Sequence, residues 1–157
     1  MGIVVDEDAY PFVIQGFARV KGEAALHELF ARMSVIARRA IEQGSLHVVV
    51  AVGDERFTAA ERKIIGEQMA IAPKDEAARV VGAFAVIESG FARGVLTALR
   101  WLSPNSIPVV TASTPDEAID LGFARLHEHG VAVPATVVES ARAAAKKLHA
   151  AFRPSKG

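Results

Sequence analysis

The chain has 157 residues and carries 18 Lys+Arg against 18 Asp+Glu, so it has no formal net charge, and it contains no cysteine. The missing cysteines exclude disulfides, thiol nucleophiles and Cys-ligated metal centres, and charge balance argues against a general nucleic-acid binder, which needs a basic surplus. Hydrophobic residues make up 51% and aromatic residues 6%, which predicts one folded domain with a mainly aliphatic core.

The start, Met1-Gly2-Ile3-Val4-Val5, runs directly into Asp6-Glu7-Asp8. It has neither the basic flank nor the apolar length of a secretory signal. No apolar run approaches the roughly 20 residues of a membrane-spanning helix. A cytoplasmic location is expected.

The first ordered piece is expected at Pro11–Val20. Phe12, Val13, Ile14, Phe17 and Val20 favour strand, and Gly16 suggests a turn or bulge between two short antiparallel strands or within one bent strand. Over Glu23–Gln43 the apolar residues Leu26, Leu29, Phe30, Met33, Ile36, Ala37, Ala40 and Ile41 recur at intervals of three and four. That spacing predicts an amphipathic helix, with Gly44 as its stop.

Leu46–Val52 is apolar without alternation, the mark of a strand covered on both faces. Thr58-Ala59-Ala60-Glu61 has the spacing of a capping box and predicts a helix to about Ile71. Ala72–Glu76 reads as a polar link, and Ala78–Ile87 as a second buried strand. Ser89-Gly90 should open a helix to Leu102, with Ser89 as its cap. Ile107-Pro108-Val109-Val110 is a short edge-type strand. Thr114-Pro115-Asp116-Glu117 predicts a helix start, and that helix should end near Gly130. Pro134–Phe152 repeats apolar residues at Val138, Ala141, Ala145, Leu148 and Phe152, so a last helix should either cover its own domain or pack on a second subunit. Self-association through this helix is the expectation. The tetrapeptide Gly-Phe-Ala-Arg at residues 16, 90 and 122 has unequal spacing and unlike flanks, and is read as coincidence.

Alternating strands and helices imply an α/β fold with a mixed, largely parallel sheet, packed helices and an extra C-terminal helix. Residues 8–130 are expected to form the domain proper, and 131–157 a helical extension and tail. Three stretches resemble the STAS domain, specifically the bacterial anti-sigma-factor-antagonist-like (SpoIIAA-like) proteins. These are Phe12-Val13-Ile14-Gln15-Gly16, Leu46–Val52 with the following Thr58, and Ile107–Val110 leading into Thr114-Pro115-Asp116-Glu117-Ala118. The resemblance implies a non-catalytic regulatory binding protein. Its antagonist members carry a phosphorylated Ser at the start of the helix after the central strand. Here that stretch is Phe57-Thr58-Ala59-Ala60, without the family's Asp and Gly, so Thr58 is a candidate phospho-site or simply a helix cap.

Other chemistry is weighed residue by residue. His127-Glu128-His129 invites a metal, but helical residues two apart diverge by about 200°, and metal pairs use spacings of three or four. Ser89 lies where a nucleophile elbow would sit, yet the first elbow glycine is replaced by Ile87. Asp54, Glu55 and Glu61 read as solvated carboxylates. Arg38, Arg39, Arg93, Arg100, Lys146 and Lys147 could meet an anionic partner or a peripheral membrane surface, a scattered solvated surface being the alternative. Phe91, Trp101 and Phe123 are candidates for an apolar ligand pocket, with core packing as the alternative. No cofactor and no metal is expected. A protein partner or a second copy is the expected ligand. A lipophilic small molecule is the first alternative and an unrecognised enzyme the second.

Overall fold

The unbroken apolar runs at the centre of the sequence become the centre of a sheet. In the computed structural model, which describes residues 2–88 and 109–153, His47–Gly53 (β3) pairs in parallel with Val80–Val86 (β4). Phe12–Phe17 (β2) flanks β3 in parallel on one side, and Val109–Ala112 (β5) flanks β4 in parallel on the other. Ile3–Asp6 (β1) closes the order β1-β2-β3-β4-β5, antiparallel to β2.

The helices follow their predicted bounds closely. Glu23–Gln43 (α1) ends on Gly44, which takes a left-handed φ of 65°. Ala59–Ile71 (α2) starts on Thr58, and Lys74–Ala77 (α3) is a single short turn within the stretch read as a polar link. Pro115–Glu128 (α4) starts on Thr114, and Ala135–Phe152 (α5) is the last helix. The expected helix of residues 90–102, its Ser89 cap, Arg93, Arg100, Phe91, Trp101 and the Ile107-Pro108 start of β5 lie outside the described residues.

Alternation along β2 separates two cores. Phe12 and Ile14 join Val48, Val50, Val52, Phe84 and Val86 under α4 and α5, whereas Phe17 points to the opposite face with Leu26, Leu29 and Ile64 of α1 and α2. The result is three layers, with α1 and α2 on one side of the sheet and α4 and α5 on the other.

Three sequence expectations are corrected here. Pro11–Val20 is not a hairpin and carries no bulge: one strand, Phe12–Phe17, runs through Gly16 in continuous register, and its antiparallel partner is Ile3–Asp6. Gly16 is small because the Phe152 ring lies over it, where an added Cβ would stand 3.2 Å from Phe152 Cδ2. The sheet therefore begins ahead of residue 8. The terminal helix is also no appendage, since Val138, Ala141 and Ala145 belong to the same core cluster as Val50 and Leu126. Its apolar stripe covers its own sheet and is not a surface left for a second subunit.

Candidate functional site

In open parallel sheets ligands collect beyond the carboxyl ends of the strands. Here the ends of β2, β3 and β4 carry a group of charged side chains that the fold withdraws from water. Asp54 follows β3 directly and is 2% exposed; Lys21, past β2, is 3% exposed; Glu61, in the first turn of α2, is 6% exposed. The reading of Asp54 and Glu61 as solvated carboxylates is thereby overturned. Both are buried because each gathers several donors.

The Asp54 carboxylate accepts the Arg56 amide at 3.0 Å and the Arg56 guanidinium at 3.0 and 2.6 Å. These bonds hold its pKa below the ordinary carboxylate value. Lys21 donates to the carbonyl of Arg56, and its ammonium lies 4.4 Å from the centroid of the Phe57 ring. Burial lowers its pKa despite the attraction of Asp54 and Glu61. Glu61 is opposed by burial, which acts to raise its pKa, but the amide hydrogens of Thr58 at 2.8 Å and Gly22 at 3.2 Å stabilise the carboxylate more, and the pKa is lowered.

Thr58 completes a full capping box: its Oγ1 accepts the Glu61 amide at 3.1 Å while Glu61 reaches back to the Thr58 amide. The cap uses a lone pair of the hydroxyl, while its O–H is turned to the Glu61 carboxylate, whose pKa it helps to lower, on a residue that is exposed. Arg56 and Arg62, each exposed, stand on either side of it in sequence, and Arg62 is held by the carbonyl of Phe57 at 2.8 Å.

The second half of this edge centres on His149, which is 6% exposed near the end of α5. Its Nδ1 accepts the Gly53 amide at 3.1 Å and its Nε2 lies 3.4 Å from Glu88 Oε1. The Glu88 amide in turn donates to Glu55 at 3.0 Å. Because Gly53 donates to Nδ1, the proton of the neutral ring sits on Nε2 and faces Glu88. Both ring nitrogens are thus engaged within the protein, and the imidazole fastens α5 to β3 and β4.

Phe123 is 40% exposed on α4, off the buried stripe of Ala118, Ile119, Gly122 and Leu126. His127 and His129 are exposed, and no metal-binding group of side chains occurs among the described residues. At the opposite, amino end of the sheet two clefts of about 260 and about 410 Å³ share Tyr10, whose hydroxyl bonds Ser45 at 2.8 Å; neither is lined by Phe123.

His149 and Lys21 were missed in sequence. His149 had a signal, since it falls four residues beyond Ala145 on the buried stripe of α5. Lys21 had none, because its burial depends on the loop after β3, far along the chain. No helix among the described residues is long and apolar enough to cross a membrane. Comparison with protein-family models, curated proteins and solved structures gave no match for this chain.

Proposed function

We propose that the chain is a non-catalytic regulatory binding module of the STAS, SpoIIAA-like kind, working in the cytoplasm through protein–protein contact, with Thr58 as the residue whose modification sets partner binding. The observation that carries this reading is the position of Thr58: exposed, at the N-terminus of α2, just beyond the carboxyl end of the central strand. A phosphate there would meet free helical amides and the positive end of the dipole, with Arg56 and Arg62 as neighbouring cations. It would also displace the Glu61 carboxylate from its reciprocal cap, because two anions cannot share that turn. Modification would thereby change the shape of the α2 start as well as its charge. The engaged nitrogens of His149 support a fastening role at this edge and fit a binding surface.

The test is native mass spectrometry of the protein purified from its own host, for the wild type, Thr58→Ala and Thr58→Glu. Phosphate on Thr58, with a partner retained by Thr58→Ala and lost by Thr58→Glu, is the expected result. An unmodified Thr58 together with identical partners for all three forms overturns the reading. A small lipophilic mass that survives gentle ionisation would favour a carrier instead.

A further inference from the structure

The pairing of β1 with β2 determines which backbone groups of β1 are left over. The Ala18 amide donates to the Gly2 carbonyl at 2.8 Å, so Gly2 and Ala18 are a hydrogen-bonded antiparallel pair. With the register Val4↔Gly16 and Asp6↔Ile14, alternation makes these hydrogen-bonded pairs as well. Ile3 and Val5 are then the non-hydrogen-bonded positions toward β2, and their N–H and C=O groups point away from the sheet. Among the described residues nothing pairs with that outer edge.

Sheet edges in isolated proteins are commonly blunted by lysine, proline or a bulge. The edge of β1 is four residues long and ends in Asp6, but it has no lysine, proline or bulge: it reads Ile3-Val4-Val5-Asp6, half-buried throughout and in unbroken register with β2.

We propose that β1 pairs with β1 of a second copy of this chain across a twofold axis, forming one continuous sheet through both subunits. The occupant follows from self-complementarity. Two antiparallel copies centred on Val4 set Ile3 opposite Val5 of the partner subunit and Val5 opposite the partner's Ile3. All four outward groups of each strand are then satisfied, in four hydrogen bonds. Charge agrees with this register. It sets Asp6 opposite Gly2 of the partner subunit. The Gly2 end of β1 lies against the Val20 and Lys21 carbonyls, where Arg19 is exposed and Val20 is 79% exposed. Glu7 is held by Arg32 and Arg39 of its own α1, so it is Asp6 and Asp8 of each copy that meet the Arg19–Val20 corner of the other. This surface adjoins the Thr58 edge through Lys21 and Gly22, but the pairing rests on the backbone of β1 and not on Thr58, so each proposal has its own test.

Light scattering at tens of micromolar should give the wild type twice its 16.7 kDa chain mass. Val5→Pro removes one outward N–H and no bond to β2, a place where an edge strand accepts proline, and should run at the single-chain mass with an unchanged circular dichroism spectrum. Val4→Cys provides a second readout in a chain that has no other cysteine. At a non-hydrogen-bonded pair the Cα atoms stand about 4.5 Å apart, within disulfide reach, so mild oxidation should yield a covalent dimer. Val35→Cys, exposed on α1, should not crosslink. A monomeric wild type, or a folded Val5→Pro that is still dimeric, overturns the proposal. Should Val5→Pro not fold, Val4→Cys decides: a covalent dimer supports the pairing, and its absence under the same oxidation overturns it.

Discussion

Nδ1 of His149 accepts the amide hydrogen of Gly53 at 3.1 Å, tying the last turn of α5 to the end of the central strand. Gly53 has little room for anything else: its φ is +100°, and an added Cβ would lie 2.4 Å from the Phe17 carbonyl oxygen. The strand end is thus too crowded to turn its amide toward another acceptor, and the imidazole becomes its partner. His149→Ala should leave a buried amide unpaired and cost about 1–3 kcal/mol. Glu88, with a side chain 42% exposed, is solvated without the histidine, and Glu88→Gln should stay within about 0.5 kcal/mol of the wild type. Urea midpoints of the two variants check the ordering; equal losses would mean that the contact with Glu88, and not the amide bond, holds the helix.

The two threonine caps predict unequal consequences for their glutamates. Thr58→Ala and Thr114→Ala each remove one side-chain acceptor from an amide of the first turn, at about 1 kcal/mol. Glu61 accepts from both Thr58 and Gly22, while Glu117 accepts from Ser113 at 3.2 Å on an exposed surface. Glu61→Ala should therefore cost more than Thr58→Ala, and Glu117→Ala less than Thr114→Ala. Thermal denaturation of the four variants measures this.

The pH dependence should begin above the carboxylate range. His47 is fully buried, and desolvation lowers its pKa from 6.5 to about 4. Its Nε2 finds no partner among the described residues and its Nδ1 has a 3.5 Å contact with the Tyr10 hydroxyl, so burial outweighs what could favour the charged ring. Between those two values the unfolded chain binds a proton that the folded chain refuses, so stability rises with pH and falls on acidification. At 1.36 kcal/mol per unit the full interval amounts to about 3 kcal/mol. His47→Leu should flatten this limb, which urea titrations across the interval would show. Asp54 and Glu61 act in a lower window. Their pKa values are lowered from 3.8 and 4.5, so their contribution is present above those values and is lost only as pH falls through the lowered ones.

Elements defined by local chemistry were legible in advance. The threonine caps, the Gly44 stop and the valine run of β3 each depend on a few consecutive residues, and their boundaries came out within about two residues. Ile3–Asp6 was not legible: four residues running into three acids make no pattern of their own, and only pairing with β2 makes them a strand. The buried polar group at Lys21, Asp54 and Glu61 was hidden for the same reason. Lys21 and Glu61 are withdrawn from water by groups brought from another segment, the Arg56 carbonyl and Phe57 ring for one and the Gly22 amide for the other, while Asp54 is closed over by Arg56 of its own loop. The Gly-Phe-Ala-Arg copies show the limit of reading likeness as meaning. Gly16 lies in a strand beneath Phe152, while Gly122 lies in a helix against Phe12 and Val48.

Two helical glycines should respond to alanine with opposite sign. Gly66 on α2 faces open space, with nothing within 4 Å of an added Cβ. Alanine there restricts the unfolded chain and suits the helix, so Gly66→Ala should stabilise by about 0.5–1 kcal/mol. Gly122 on α4 gains the same helical preference, but its Cβ would stand 3.2 Å from Phe12 Cε1 and 3.3 Å from Val48 Cγ2. Phe12 and Val48 are both 0% exposed, held between the sheet and α4, and neither can swing into solvent to make room. Overpacking of this kind costs about 1–3 kcal/mol, which exceeds the helical gain, and Gly122→Ala should destabilise. Chemical denaturation of both variants decides it. If Gly122→Ala proves as stabilising as Gly66→Ala, α4 sits farther from β2 and β3 than its contacts with Phe12 and Val48 require.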